Sequence, residues 1–168
     1  MTGSTIKITP EEVIDRYADM VYRIALLQVK KQTDADDIFQ EVFIRLVKHI
    51  HKLQNWEHVK AWLIRVTINC SRTHFKQSFV KEECPIDEVT ETGMTESGFE
   101  TVEGDGPVTT AVKSLPVKYR NVVHLFYYEE LSITEIANVT AQKETTVKTQ
   151  LFRAREMLKG MLEGEITL

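Results

Sequence analysis

Two stretches of helical periodicity flank a middle segment that has none, and this pattern constrains the fold of the 168-residue chain more than any other feature. The middle segment, residues 78–106, contains four of the seven glycines, one basic residue and nine acidic ones, for a net charge of −8. Such a composition buries too little apolar surface to fold alone, so the segment is predicted to be a flexible acidic linker. The sequence therefore predicts two small helical domains, residues 1–77 and 107–168, each with its own core.

The composition excludes several classes of protein. With 42% hydrophobic and 27% charged residues the chain is neither collagen-like nor wholly disordered, and seven Gly with four Pro favour helices over a turn-rich sheet. No apolar run approaches the ~20 residues that cross a bilayer, and the N-terminus lacks the apolar core of a secretory signal. Cys70 and Cys84 have neither the spacing of a metal knuckle nor the density of a disulfide scaffold. We therefore expect an all-α cytoplasmic protein with reduced thiols and without membrane insertion.

Three helices are predicted in the N-terminal domain. The first begins after Thr9, a cap residue that is followed by Pro10 at the first helical position. The second begins after Thr33, which is predicted to cap it, and the third follows a short connection over residues 53–57. Apolar residues at three- and four-residue spacing are predicted to form the core. They are Val13, Tyr17, Met20, Val21, Ile24 and Leu27 in the first helix, Ile38, Phe39, Val42, Phe43, Leu46, Val47 and Ile50 in the second, and Val59, Trp62, Leu63, Val66 and Cys70 in the third.

The C-terminal domain contains a predicted helix-turn-helix. Ser114 and Pro116 indicate the start of a first helix, and Ser132 with Glu135 fits the capping box of a short second one. A longer helix begins after a brief turn, near Glu144, and buries an apolar stripe. Two helices joined in this way place the second one in the DNA major groove.

The long helix presents a polar face opposite its apolar stripe. The side chains on this face can bind phosphates and base edges. They are Thr145, Thr146, Lys148, Thr149, Gln150 and Arg153. An exposed basic face alone is more often a solvated surface, but together with the capping box and the turn length it predicts DNA binding.

Motifs in both halves resemble one family. The stretch LSITEIA at 131–137 and TVKTQLFRAR at 146–155, preceded by SLPVKYR at 114–120, resemble region 4 of the extracytoplasmic-function (group IV, sigma-70-like) bacterial sigma factors. In the other half, DADDIFQEVFIRL at 34–46 resembles sigma region 2.2, and AWLIRVTIN at 61–69 resembles regions 2.3 and 2.4. Two motif sets in the right order are far more specific than either alone.

The resemblance implies a promoter-specificity subunit that binds core RNA polymerase and directs it to the −35 and −10 elements of a specialised, stress-type regulon. It implies no catalysis and no cofactor, and an anti-sigma factor is an optional further partner. The implied polymerase contacts are Asp36, Asp37, Gln40, Glu41 and Arg45. The implied contacts to the opened −10 strand are Trp56, Arg65, Asn69, Arg72 and Lys76. The implied contacts to the −35 duplex are Thr145, Thr146, Lys148, Thr149 and Arg153.

Some of these positions have a second interpretation. Asp36 serves equally well as an acidic residue that complements the positive end of its helix. Trp62 is predicted to be core, which leaves Trp56, in the connecting loop, as the exposed aromatic side chain.

The chain departs from the family pattern in the helix-turn-helix. Thr140 and Ala141 stand where an apolar residue and glycine are usual, and Gln142 replaces a buried aliphatic residue. Thr145 stands where glycine is frequent and Gln150 where arginine is frequent. The turn geometry and the −35 contacts are therefore open at these positions.

Two other functions remain as alternatives. A stand-alone helix-turn-helix regulator would have a similar C-terminal half, and co-purification with polymerase would distinguish the two. A metal-dependent hydrolase would use the acids between Asp34 and Glu41, but no phosphate-binding loop or nucleophile motif accompanies them. Among His and Cys residues only Cys70 and His74 share a helix face, which is too few for zinc, so no metal is expected.

Overall fold

The computed structural model describes the backbone of residues 7–81 and 106–166, and the side chains of residues 7–74 and 106–164. All regular elements in these ranges are helical. They are α1 (Pro10–Gln28), α2 (Gln32–His49), a 3-10 turn (Ile50–Lys52), α3 (Trp56–Lys81), α4 (Pro107–Ser114), α5 (Val117–Val123), a π-helical turn (His124–Tyr128), α6 (Ile133–Thr140) and α7 (Glu144–Ile166). Within the described ranges, no helix combines the length and the apolarity that a membrane crossing requires.

The predicted N-cap is correct for α1 and wrong for α2. At α1 the Thr9 hydroxyl accepts a hydrogen bond from the Glu12 amide, and the Glu12 carboxylate accepts one from the Thr9 amide, so the predicted cap is confirmed. The prediction that Thr33 caps α2 is wrong, because α2 begins at Gln32 with Lys31 as its N-cap. The Lys31 carbonyl accepts hydrogen bonds from the amides of Asp34 and Ala35, so the first turn of α2 already includes Thr33.

Helix α4 was not predicted, and it changes the role of Ser114. The Ser114 hydroxyl donates to the Ala111 carbonyl at 2.7 Å, so this residue ends α4 and the prediction that it caps the next helix is wrong. The first turn of α5 is closed instead by the Pro116 carbonyl, which accepts hydrogen bonds from the amides of Tyr119 and Arg120. At the other side of the linker, α3 extends to Lys81, and residues 82–105 lie outside the described residues.

One apolar cluster extends through both halves of the molecule. It contains the buried stripes of α1, α2 and α3 together with Val122, Leu125, Ile136 and Val147 of the C-terminal half. A smaller cluster of Leu115, Tyr119, Val123 and Ala154 packs α5 against α7. The two all-α halves are confirmed, but the expectation that each has a separate core is wrong, because apolar burial continues from one half into the other.

Most of the predicted core residues are buried, with one clear exception. Val47 is 59% exposed, so its assignment to the core of α2 is wrong. Trp62 packs against the main cluster, as predicted, although part of its side chain remains accessible.

Candidate interfaces for polymerase and DNA

The helix-turn-helix consists of α6, a short turn and α7. The Ser132 hydroxyl accepts from the Glu135 amide at 3.1 Å and the Glu135 carboxylate accepts from the Ser132 amide at 3.0 Å, so the predicted capping box is confirmed. Hydrogen bonding of the carboxylate to Ser132, mainly to its backbone amide, lowers the pKa of Glu135 below its ordinary value. Thr134 donates to the Glu144 carboxylate at 2.6 Å and thereby ties the start of α6 to the start of α7.

The turn between α6 and α7 keeps its geometry without glycine. Ala141 adopts a left-handed conformation with φ 56° and ψ 44°, which glycine reaches without the steric penalty that a Cβ atom adds. The amides of Ala141 and Gln142 donate to the carbonyls of Asn138 and Ala137, respectively, and close the end of α6. Ala141 therefore replaces the usual glycine of the family at the position where this turn requires a positive φ.

Gln150 lies inside this motif and not on its polar face. Only 9% of its surface is exposed, and its Nε2 donates to Gln142 Oε1 at 2.7 Å. Gln142 in turn donates to the Thr140 hydroxyl at 2.9 Å. The interpretation of Gln150 as an exposed DNA-reading residue is therefore wrong. Two departures from the family pattern, eight residues apart, pair with each other in the interior.

The remaining polar residues of α7 form an exposed surface, here called the α7 face. All five predicted −35 contacts are exposed there, while Val147 and Leu151 on the opposite side are buried. Neither Lys148 nor Arg153 forms an ion pair with a described residue. Their charges are therefore available to an anionic ligand. The members of the α7 face are Thr145, Thr146, Lys148, Thr149 and Arg153.

The polar surface of α3, here called the α3 face, is partly covered. Asn69 and Arg72 are exposed. Arg65 is half-buried and donates through Nη2 to Asn138 Oδ1 of α6 at 3.3 Å. Lys76 lies in the α3 backbone range, but its side chain lies outside the described residues. Of the predicted −10 contacts on this helix, the structure thus places Asn69 and Arg72 at the surface and Arg65 against the C-terminal half.

Trp56 is the first residue of α3 and does not lie in the preceding loop. The Asn55 side chain accepts a hydrogen bond from the His58 amide at 2.8 Å, and the helix starts two residues earlier than a connection over residues 53–57 predicts. The indole is half-buried, 6.1 Å from the Tyr17 ring between centroids, and the Arg16 guanidinium lies 4.5 Å from its centroid. A base that stacks on the same side of the indole would have to replace Arg16.

The surface of α2, here called the α2 face, carries the predicted polymerase contacts. Asp37, Gln40 and Glu41 are exposed, and Arg45 donates to the Glu41 carboxylate at 2.9 Å. Asp36 is also exposed, but its Oδ1 accepts a hydrogen bond from the Tyr22 hydroxyl at 2.7 Å. That hydrogen bond raises the pKa of Tyr22.

Two apolar residues complete the α2 face, and the sequence reasoning missed them. Ile44 is 50% exposed and Val47 is 59% exposed, four and seven residues after Gln40 on the same side of the helix. The available signal was their spacing from Gln40, because the buried stripe of α2 already runs through Ile38, Val42 and Leu46 on the other side.

The sequence spacing pairs His74 with Cys70, whereas the structure places its imidazole beside two carboxylates of α2. Its Nε2 lies 3.0 Å from Asp34 Oδ1, and one ligand atom from each of Asp34, Asp37 and His74 lies within 4.8 Å of the others. Cys70, one turn earlier on α3, is buried, and burial raises the pKa of its thiol.

Comparison with known proteins connects both halves to one family. The family model of sigma-70 region 2 matches residues 13–78, and that of sigma-70 region 4 matches residues 106–158. The chain is 31% identical to the RNA polymerase sigma factor SigV of Bacillus subtilis over 144 residues, which cover 86% of this chain and 85% of SigV. The chain belongs to the extracytoplasmic-function sigma factors.

A second relative supports this assignment, and a solved structure shares the fold. The extracytoplasmic-function sigma factor SigM of Bacillus subtilis is 31% identical over 158 residues, covering 92% of this chain and 95% of SigM. Among solved structures, the sigma factor RpoE of Bartonella quintana, in complex with the anti-sigma factor NepR, has a TM-score of 0.72 and 16% identity, with 91% of this chain and 96% of that chain covered. The sigma factor described here is thus a promoter-specificity subunit of bacterial RNA polymerase, whose partners are core polymerase and promoter DNA.

Proposed function

We propose that this sigma factor divides its work among three surfaces: the α2 face binds core polymerase, the α3 face with Trp56 holds the opened −10 strand, and the α7 face reads the −35 duplex. The observation that carries the proposal is the segregation within α7. Five polar residues are exposed along one side, and the opposite side is buried in the helix-turn-helix. This is the arrangement that lets a helix enter the major groove while its domain stays folded.

The α7 face combines two kinds of contact. Lys148 and Arg153 supply positive charge for phosphates, which fixes the position of the helix on the duplex. The hydroxyls of Thr145, Thr146 and Thr149 supply short donors and acceptors for base edges or phosphates. Gln150 takes no part in this contact, because it is buried beneath the face.

The α2 face has the composition of a protein-binding surface. Ile44 and Val47 offer exposed apolar area, and Gln40, Glu41 and Arg45 supply polar groups around it. An apolar centre with a polar rim is typical of protein interfaces. Asp37 belongs to the same surface, whereas Asp36 contributes to holding α1 against α2 through its hydrogen bond with Tyr22.

The α3 face suits a single strand. Arg72 is open for a phosphate and Asn69 for a base edge, and Arg65 becomes available when its contact with Asn138 is released. Unpaired nucleotides usually bind to cationic surfaces that also offer aromatic side chains, and Trp56, about 20 Å from Asn69 along α3, supplies an aromatic ring. Lys76 continues the same sequence spacing toward the linker.

The proposed role needs neither a cofactor nor a reaction catalysed by the chain. The protein acts in the cytoplasm with polymerase and serves a specialised, stress-type regulon. Regulation by an anti-sigma factor is part of the proposal, and its support is the similar fold of RpoE, which was solved in complex with NepR.

A comparison of two variants tests the division between the α2 and α7 faces. Ile44→Ala should weaken binding to core polymerase about tenfold, because truncating a central apolar contact removes interface energy. Lys148→Ala should leave polymerase binding unchanged and lower transcription from a −35-dependent promoter. Matched controls are Ile14→Ala on α1 and Lys159→Ala near the end of α7, both at exposed positions outside the proposed surfaces. If Lys148→Ala abolished polymerase binding in a pull-down, the division would be wrong.

A further inference from the structure

A buried carboxylate lies where the two halves of the sigma factor meet. Glu129 directly follows the π-helical turn, and its side chain is only 7% exposed. Its Oε2 lies 2.7 Å from His124 Nε2 of the same half and 3.5 Å from Arg23 Nη2 of α1. The Tyr128 ring stacks on the His124 ring and lies 5.0 Å from the Arg23 guanidinium.

A second cation reaches the same residue from α3. Lys60 Nζ donates to the backbone carbonyl of Glu129 at 3.4 Å, and its charge acts on the carboxylate as well. Burial alone would raise the pKa of Glu129, but the hydrogen bond from His124 and the charges of His124, Arg23 and Lys60 outweigh it and hold the pKa below its ordinary value. The carboxylate is therefore ionised and compensated by cations from two helices of the other half.

The docked C-terminal half also covers part of the α3 face. Arg65 of that face donates to Asn138 of α6, while Lys60 contacts Glu129 from a different side of α3. Asn69 and Arg72, further along α3, stay exposed. As long as the halves remain in contact, Arg65 is held by a side chain of the C-terminal half instead of by a phosphate.

The contact also limits how far apart the two halves can act. Promoter elements separated by about two helical turns lie ~70 Å apart. Halves that share one apolar cluster cannot reach both elements at once, so reading a promoter requires them to separate.

We propose that Glu129 is the centre of an intramolecular latch, which closes when its carboxylate engages Arg23 of α1 and its backbone carbonyl accepts a hydrogen bond from Lys60 of α3, and which docks the C-terminal half on these two helices. In the free chain the closed latch keeps the α3 face from binding single-stranded DNA. The effect on DNA binding rests on the proposed role of α3 in −10 recognition, whereas the latch itself does not.

Replacing Glu129 by Gln tests the latch with little change in side-chain size. The neighbouring Glu130 is exposed and forms no ion pair with a described residue, so Glu130→Gln is a matched control that removes the same charge one position away. Amide hydrogen exchange of the full chain, resolved over α3 and α6, measures the opening. Glu129→Gln should raise exchange rates at the facing turns of both helices by about fivefold, and Glu130→Gln should not.

A second variant keeps the test independent of one substitution. Arg23→Gln acts from α1, outside the three proposed surfaces, and should open the same turns to the same extent. The double variant should exchange no faster than either single one, because both break one contact. Unchanged helix content by circular dichroism shows that each variant is folded. Exchange rates equal to those of the unmodified chain in both single variants would overturn the latch.

A measurement of single-stranded DNA binding distinguishes failure of the latch from failure of the proposed function. A fluorescein-labelled pool of 12-nucleotide random-sequence single strands is titrated with the full chain and followed by anisotropy. With faster exchange in Glu129→Gln, a rise of about fivefold in affinity supports both statements. Faster exchange with unchanged affinity supports the latch and contradicts the assignment of α3 to the −10 strand.

Discussion

Gln28 of α1 and Asn121 of α5 exchange two hydrogen bonds in the interior of the sigma factor. Gln28 Nε2 donates to Asn121 Oδ1 at 2.5 Å, and Asn121 Nδ2 donates to Gln28 Oε1 at 3.3 Å. Both side chains are buried, and Gln28 Nε2 also reaches the Ile24 carbonyl. The pair therefore satisfies polar groups of both halves inside a shared apolar cluster, and it specifies how they fit together.

Removing one member of this pair should destabilise the closed chain. Asn121→Leu removes the donor to Gln28 Oε1, and a buried unsatisfied group costs about 1–3 kcal/mol. The double variant Gln28→Leu with Asn121→Leu should recover part of the loss, because no polar group then lacks a partner. Urea unfolding followed by circular dichroism measures both effects. A double variant that loses the sum of the single effects would contradict this account of the pair.

The left-handed residue in the helix-turn-helix predicts a stabilising substitution. Ala141→Gly should raise the free energy of unfolding by up to about 1 kcal/mol, since glycine avoids the Cβ penalty at φ 56° but adds freedom to the unfolded chain. Ala18→Gly, within α1, is the control and should lower stability by about 0.5–1 kcal/mol. A loss of stability in Ala141→Gly would show that the turn does not hold this conformation.

Glu129 predicts how stability depends on pH. Because its pKa in the folded chain lies below the ordinary carboxyl value of ~4.3, its contribution is present above that value and is lost as pH falls through the folded pKa. Arg23, Lys60 and the imidazole of His124 are the basic groups that face it. The difference in unfolding free energy between the unmodified chain and Glu129→Gln should therefore shrink on acidification below about pH 4. A difference that grows with acidification would have the wrong sign.

Strand capture by Asn69 and Trp56 makes a kinetic prediction. Asn69→Ala and Trp56→Ala should each slow open-complex formation on duplex promoters more than on templates with a pre-opened −10 segment, because capture of an unpaired base helps to drive unpairing. Permanganate footprinting measures the opened segment. Lys159→Ala, at an exposed position near the end of α7 and outside the proposed surfaces, serves as control. Equal slowing on both templates would assign the two residues a role other than capture.

The helix N-caps could be predicted from the sequence where a capping box is present. The errors occur where a neighbouring residue or an unpredicted helix takes the place of the expected cap. Thr9 and Ser132 cap their helices because each has a glutamate three residues later that completes the capping box. Thr33 has no such partner, and the helix starts before it. Ser114 was assigned to the wrong helix, because a preceding helix that periodicity did not indicate uses it as its last residue.

Contacts between distant parts of the chain could not be predicted. Gln28 and Asn121 are 93 positions apart, and Arg65 and Asn138 are 73 positions apart, so no periodic pattern connects them. Gln150 was assigned to the polar face of α7 as a polar residue opposite the apolar stripe, whereas in the structure its side chain is buried and pairs with Gln142 across the turn. The candidate surfaces of α2 and α7 were largely predictable, since each lies opposite an apolar stripe of its own helix.

Transcription with purified core polymerase tests the central claim most directly. The sigma factor is added to core polymerase with a library of genomic fragments, and the 5′ ends of the transcripts are mapped. We expect new start sites that share −35 and −10 sequences, and we expect the variant Lys148→Ala with Arg153→Ala to lose them while still binding polymerase. Start sites identical to those of core polymerase alone would contradict the claim that this chain gives polymerase its promoter specificity.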